Sequence, residues 1–315
     1  MSKLVSVCIA TYNGEKYIKE QLDSILNQTY HNIEIIIQDD ASTDNTIDII
    51  KNYKNQKIQL FQNPNNLGYI KNFETLIQRA NGDYIALCDQ DDIWVESKIE
   101  KLLQNIHSFS LIYSNSLLID KEAKSLNRTL SQHLKNNFIT SHHPLNFLYD
   151  NSVSAHSILF KKELKPYLVN FPTQLYFDQY IAMVGASQKG IHYINKPLVH
   201  YRQHETNTLK KIATKKSLLQ KIKTKLDKKN NINLQEQLKF KELLEKEIFN
   251  QQTKDILSTL LTNSKNFNHK FFNLELFLFY MKHKHILFSI TQKNPTLLSF
   301  KKSIGYKLYK VLPIL

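Results

Sequence analysis

Short apolar runs rich in β-branched residues recur through the first third of the chain, each separated from the next by a stretch with helical spacing, and that alternation leaves few folds open. Leu4-Val5-Ser6-Val7-Cys8-Ile9 is followed by a helical pattern over 14–28, with Tyr17, Ile18, Leu22, Ile25 and Leu26 on one face. Ile33-Glu34-Ile35-Ile36-Ile37 predicts a second strand, a helix follows near 44–53, and a third strand over 57–61 ends at Asn63-Pro64-Asn65-Asn66. A helix over 69–80, closed by Ala80-Asn81-Gly82-Asp83, leads to a fourth strand at Ile85-Ala86-Leu87-Cys88. Strands joined by helices in this way pair in parallel and bury both faces, so residues 1–115 predict a doubly wound α/β layer. The chain has 6 glycines and neither G-x-G-x-x-G nor G-x-x-x-x-G-K-[ST], which excludes a dinucleotide fold and a P-loop ATPase.

Open α/β sheets bind ligands at the carboxyl ends of their strands, and here those ends are acidic. The fourth strand runs into Asp89-Gln90-Asp91-Asp92-Ile93-Trp94. Carboxylates this dense repel one another unless a cation lies between them, so the cluster is either a solvated turn or the seat of a hard divalent ion, with Asp89 and Asp91 on the same side. The first strand ends in Ala10-Thr11-Tyr12-Asn13-Gly14 and the second in Asp39-Asp40-Ala41-Ser42-Thr43-Asp44. Ser42, Thr43 or Asp44 suit a helix cap. The Asp39-Asp40 pair suits hydrogen bonding to the imide N–H of a uracil or thymine ring, beside Tyr12 as a stacking face.

Charge divides the chain. Residues 1–204 hold 20 Lys+Arg and 20 Asp+Glu, whereas 205–315 hold 22 and 8, so the net charge of +14 belongs entirely to the last third. Met1-Ser2-Lys3 passes straight into a strand, without the pattern of a signal peptide, and no apolar window reaches the length of a membrane span. Cys8 and Cys88 both sit in apolar strands, as expected of reduced core thiols in a cytoplasmic protein.

Val5-Ser6-Val7-Cys8-Ile9-Ala10-Thr11-Tyr12-Asn13, Ser24-Ile25-Leu26-Asn27-Gln28-Thr29-Tyr30, Asp39-Asp40-Ala41-Ser42-Thr43-Asp44 and Cys88-Asp89-Gln90-Asp91-Asp92-Ile93-Trp94, in that order and spacing, resemble the consecutive signatures of family 2 glycosyltransferases. With Tyr201-Arg202-Gln203-His204 they are most similar to the rhamnosyltransferase-like subgroup that builds bacterial surface polysaccharides, and the resemblance covers about residues 3–208. It implies a GT-A fold, an inverting mechanism, a nucleotide-diphospho-sugar donor and Mg2+ or Mn2+. By position, Ala10, Thr11, Tyr12 and Asp40 are the implied base-binding residues, with Ala10 acting through its backbone. Asp91 is the implied direct metal ligand, and Asp89 the partner that touches the ribose or a metal-bound water. Arg202 and His204, on alternate positions of one strand face, suit a diphosphate, Arg202 as a bidentate donor and His204 as a further ligand to the metal or donor to phosphate.

Residues 120–145 are polar without strong periodicity and read as a mobile segment on the acceptor side; His142-His143 within it reads as surface in preference to a metal pair. The turn at 151–157 has Ala155 where relatives often carry Gly, which leaves His156 unplaced. Tyr176-Phe177-Asp178-Gln179 opens an apolar helix, where Asp178 is either an N-cap or a general base fixed at the helix start. The resemblance favours the base, although Phe177 and Gln179 depart from the family's usual H-D-W-W.

Two units are expected: a catalytic domain over 1–208 and a basic, mainly helical region over 209–315 that either lies on an anionic membrane surface or packs on the catalytic domain with a solvated lysine rim. The combined reading is transfer of rhamnose or another hexose from a dTDP- or UDP-sugar to a growing, lipid-linked surface glycan by an enzyme on the inner face of the plasma membrane. A sugar-phosphate nucleotidyltransferase wants a Gly-rich basic loop where this chain has A-T-Y-N-G-E-K, and a nucleic-acid-binding protein wants a binding module that is absent.

Overall fold

β1 (Val5–Thr11) is flanked by two parallel neighbours, β2 (Ile33–Asp39) and β4 (Tyr84–Cys88), and β3 (Ile58–Gln62) extends the parallel group beyond β2. This is a computed structural model, and it describes residues 2–204, 234–265 and 272–304. Beyond β4 the sheet turns mixed: β8 (Ile158–Lys161) runs antiparallel between β4 and β6 (Leu111–Ile119), and β9 (Ile191–Arg202) runs parallel to β6. The short β5 (Ile93–Trp94) closes that edge against β9, and β7 (Ser125–Thr129) pairs with β6, giving nine strands among the described residues.

Strand pleat sorts the core into two layers. Val5, Val7, Ile9, Ile35 and Ile37 join the cluster covered by α1 (Ile18–Leu26) and α4 (Lys98–Asn105), while the alternate residues Cys8 and Ile36 join the cluster under α3 (Tyr69–Arg79) and α6 (Phe177–Ser187). The predicted α/β layer is therefore present, with apolar strands buried on both faces. Cys8 and Cys88 are buried free thiols, as expected.

Two local expectations change. The regular helix begins at Ile18 and is preceded by an opening turn from 14, in which Gly14 O accepts from Tyr17 N and Ile18 N at 3.0 Å while Gly14 N donates to Thr46 Oγ1 at 2.7 Å and the residue packs closely on Gln90, leaving no room for a Cβ. Residues 120–145 are organised: a turn in which Asp120 Oδ1 accepts from the amides of Glu122 and Lys124 leads into β7, and α5 (Leu130–Leu134) follows with a Thr129–Gln132 capping box. Aperiodic polarity hid both elements, since β7 is almost wholly exposed and so carries no apolar alternation.

Of the basic region, the described part comprises α7 (234–244), α8 (Gln251–Lys265), α9 (Leu274–Leu287) and α10 (Pro295–Ser303). Phe240, Leu243, Leu257, Tyr280 and Phe288 share one apolar cluster with Phe73 of α3 and Ile181 of α6. Tyr280 Oη and Tyr149 Oη are 2.9 Å apart, and Asn146 Nδ2 donates to Ile286 O at 2.9 Å. The described helices thus pack on the α/β layer. The expected boundary at 208, the lysine run over 215–229 and most of the basic, aromatic tail over 300–312 lie outside the described residues.

Candidate active site

The ends of β1, β2 and β4 meet because the strands are parallel neighbours, and hydrogen bonds between their loops lock those ends together. Tyr12 N donates to Gln90 Oε1 at 2.9 Å while Gln90 Nε2 returns a bond to Tyr12 O at 3.1 Å, so the glutamine of D-Q-D-D clamps the first strand's end to the fourth. Tyr12 is 46% exposed, as a stacking face must be. Thr11 Oγ1 donates to Asp39 Oδ1 at 3.0 Å, and Asp39 also caps its own turn through Ser42 N at 2.8 Å. Ala10 is partly buried on the same strand end.

Asp40 is buried, and the structure gives its carboxylate a set of partners that sequence does not predict. Oδ1 accepts from Asn63 Nδ2 at 2.7 Å and Leu67 N at 2.8 Å, and Oδ2 from Gly68 N at 2.9 Å, so Asp40 organises the 63–68 loop.

The acidic cluster separates into two groups. Asp91 Oδ2 lies 2.8 Å from His204 Nε2, which joins two of the three predicted metal ligands. Asp89 goes instead with Asp92 and His156: Nδ1 of His156 is 3.6 Å from Asp89 Oδ2 and 3.7 Å from Asp92 Oδ2, and one ligand atom from each residue falls within 4.8 Å of the others. Asp92 is fully buried; its Oδ1 accepts from Arg202 N at 2.9 Å, while Oδ2 has no hydrogen-bond partner among the described residues. Burial raises the Asp92 carboxyl, and the charges of Asp91 and Asp89 push it further up. An orphaned carboxylate oxygen beside imidazole and carboxylate donors is a donor set that fits Mg2+ or Mn2+.

Asp92 and His156 are the site residues that sequence reasoning missed. The third aspartate of D-Q-D-D was a signal for the first; His156 sits in a turn that no periodicity marks. Its ring stacks on Tyr201 at 4.4 Å, and Nε2 lies 2.8 Å from Ser116 Oγ. Beneath it Lys98 is fully buried, donating from Nζ to His156 O at 2.6 Å and lying 3.2 Å from the Trp94 ring centroid. Burial pulls the Lys98 ammonium down to about 7, against the opposing pull of Cys88, Asp92 and Asp89.

Arg202 corrects the expectation of a bidentate diphosphate donor. At 1% exposure it lies below the site: Nε donates to Asp91 O at 2.8 Å, Nη1 to Lys121 O at 3.0 Å, and Nη2 to Glu20 Oε2 at 2.6 Å. Its alternation with His204 was legible, but which strand face is covered depends on Glu20 and Tyr17 of a distant segment. Arg202 holds the peptide carrying Asp91.

Asp178 lies in the first turn of α6, and Tyr176 is the N-cap, so the capping alternative is excluded. Asp178 Oδ1 accepts from Asn151 Nδ2 at 3.0 Å and from Gln179 N at 2.7 Å. Burial pushes its carboxyl up to about 7, and the charge of Asp89 also raises it, whereas the Gln179 and Ala155 amides lower it. Phe177 stacks on Phe73 at 4.6 Å, and Gln179 Nε2 donates to Phe147 O at 2.6 Å, so these two departures from H-D-W-W are core contacts that seat the helix. His142 stacks on Phe109 and His143 caps the turn at 144–147, so each has a packing role.

A family model described as Glycosyl transferase family 2 matches residues 6–161. The dTDP-rhamnosyl transferase RfbG of Shigella flexneri is 30% identical over 215 residues, which is 63% of this chain and 72% of that protein. The UDP-Glc:alpha-D-GlcNAc-diphosphoundecaprenol beta-1,3-glucosyltransferase WfaP of Escherichia coli is 40% identical over 114 residues, 36% of this chain and 45% of its own. Such matches are local, and the chain spans 39% and 41% of the length of two further glycosyltransferase relatives. Among solved structures, S. aureus TarS 1-349 in complex with UDP-GlcNAc superposes with a TM-score of 0.59 at 17% identity, covering 91% of this chain and 82% of that one, a likeness of fold.

Proposed function

The chain belongs to glycosyl transferase family 2, and from that premise we propose that it transfers a hexose, rhamnose or another, from a dTDP- or UDP-sugar to a growing lipid-linked bacterial surface glycan, with inversion at the anomeric carbon. The observation that carries the reading is Asp178: a single carboxylate, oriented by Asn151, raised to about 7 and within electrostatic reach of the D-Q-D-D cluster. One-step inversion needs one base on the acceptor side. The acceptor oxygen forms its bond to the anomeric carbon as the bond to the leaving diphosphate breaks, and Asp178 takes the hydroxyl proton.

Asp89, Asp92 and His156 would hold Mg2+ or Mn2+, with the neighbouring Asp91 paired to His204 beside them, and that cation would supply positive charge to the departing diphosphate. Tyr12, with Ala10, Thr11 and Asp40 behind it, forms the nucleoside end of the cleft. Both relatives' names fit the donor choice: one is a dTDP-rhamnosyl transferase, and the other a UDP-Glc transferase acting on a diphosphoundecaprenol-linked sugar.

The excess of 22 basic over 8 acidic residues in 205–315 supports peripheral contact with an anionic inner leaflet. α9 and α10 add exposed Leu274, Leu278, Leu297 and Phe300 beside Lys301. Among the described residues no helix is long and apolar enough to cross a membrane.

A thermal-shift screen of UDP and dTDP, alone and with Mn2+, tests the reading directly. A nucleotide that raises Tm only with Mn2+, with the shift lost in Asp91→Ala, supports it; no shift from either nucleotide removes it.

A further inference from the structure

Between the turn at 147–151 and the C-terminal helices lies a cavity of about 330 Å3, whose lining includes Tyr149, Asp150, Glu236, Lys239, Lys293 and Lys302. A packing defect would be apolar, whereas this one gathers ammonium groups. Lys239 is 8% exposed, with Nζ 3.3 Å from Leu148 O and 4.9 Å from the Tyr149 ring centroid. Lys302 Nζ lies 3.8 Å from the same ring and 2.8 Å from Glu236 Oε1. Buried lysines are rare unless paired, and here the buried Lys239 and the half-buried Lys302, the latter paired with Glu236, converge on one ring with a third, Lys293, at the wall. Burial pulls the Lys239 ammonium down to about 8; Glu236 and Asp150 oppose that pull and Lys302 adds to it, so an anion placed among the lysines would favour their charged forms.

The cavity also adjoins the machinery of transfer. Tyr149 and Asp150 line it, and the next residue, Asn151, orients Asp178. Lys239 and Gln179 both donate to the turn at Phe147–Leu148, from the cavity side and from α6. A ligand anchored here lies one residue along the chain from the group that aims the base.

We propose that this cavity binds the diphosphate of an anionic acceptor, with Lys239 and Lys302 as its principal donors and Lys293 at the entrance. The inference rests on the glycosyltransferase reading, because it names the part of the acceptor that a lipid-linked glycan would present. Lysine ammonium groups are point-charge donors suited to phosphate oxygens, and a shielded site strengthens each contact.

The test is calorimetric titration of the full chain with sodium pyrophosphate in EDTA, so that no cation recruits the anion to the aspartate cluster. Saturable binding is expected, weakened about tenfold by Lys302→Gln and, separately, by Lys239→Met, as for loss of one charge-assisted contact. Phosphatidylcholine vesicles carrying a prenyl diphosphate then distinguish the two sources of that chemistry. Retention on these vesicles, and not on plain ones, lost in Lys302→Gln, assigns a lipid-borne diphosphate; pyrophosphate binding without retention assigns the free anion. No binding of either probe, or binding unchanged in both variants, overturns the proposal. Stabilisation by UDP or dTDP with Mn2+ is measured on the same proteins after EDTA is removed: its presence in the variants shows that they are folded, and its absence with both nucleotides from the unaltered chain strikes the glycosyltransferase reading and not this cavity.

Discussion

The two walls of the proposed site are built on different principles. On the side of Tyr12, Asp40 and the D-Q-D-D loop, functional groups are carried by the ends of β1, β2 and β4, which are neighbours in one parallel register, so sheet pairing alone brings them together. On the side of Asp178 they come from the turn at 147–157, the start of α6 and, behind both, helices more than fifty residues further on. The first wall is set by backbone hydrogen bonds, the second by side-chain packing. The second wall is accordingly where a change of substrate can be accommodated without disturbing the sheet.

The sharpest way to separate the walls is Asp178→Asn. Loss of the proposed general base is expected to lower turnover about 10²–10⁴-fold while Mn2+-dependent nucleotide binding is unchanged, measured by initial rates and thermal shift. Rate and binding falling together would show that the walls are not independent. Because the carboxyl is raised to about 7, the unaltered enzyme should lose kcat/KM tenfold per unit as pH falls below that value. Stability follows the same group with opposite sign. An acid raised above its unfolded value, about 3.9, destabilises the fold progressively as pH rises from there to about 7. Asp178→Asn should therefore melt higher than the unaltered chain at pH 8, with the gap shrinking toward pH 4.

A second variant probes the seam. His156 belongs to the packed wall by sequence, yet faces Asp89 and Asp92 of the sheet-borne wall. His156→Asn should weaken Mn2+ affinity about 10–100-fold, as loss of a supporting or direct ligand does, read by Mn2+ titration of the UDP-induced thermal shift. Unchanged Mn2+ affinity would confine the cation to Asp91 and His204.

How much of each wall was legible depends on how it is made. Val5–Ile9 and Ile33–Ile37 betray β1 and β2 by composition, and the acidic residues beyond β2 and β4 mark strand ends without any knowledge of packing. Asp178 was visible as a lone acid at a helix start, but Asn151, its orienting partner, is 27 residues away with no periodic signal. Arg202 shows the limit from the other direction: alternation with His204 placed it on the right strand, and only the arrival of Glu20 and Tyr17 decides that it is sealed beneath the loop. Partners of Asp40 were hidden for the same reason, since Leu67 and Gly68 donate through backbone amides that no side-chain pattern advertises.

The smallest expected effect sharpens the account of the sheet-borne wall itself. If its geometry is set by backbone register, the clamp between Gln90 and Tyr12 is a side-chain device that adds to strand pairing in holding two strand ends at a fixed separation. Gln90→Leu keeps the volume and removes both hydrogen bonds, which are neutral and partly exposed. The loss should be about 1–2 kcal/mol, seen as a several-fold rise in KM for the donor with kcat and the acceptor KM nearly unchanged. A comparable rise in the acceptor KM would mean that the β1 loop is shared by both substrates. A fall in kcat alone would mean that Gln90 acts on the placement of Asp89 and Asp91, its sequence neighbours, more than on Tyr12. Retention of every parameter would show that strand pairing between β1 and β4 suffices without the clamp, and would make the contrast between the two walls sharper still.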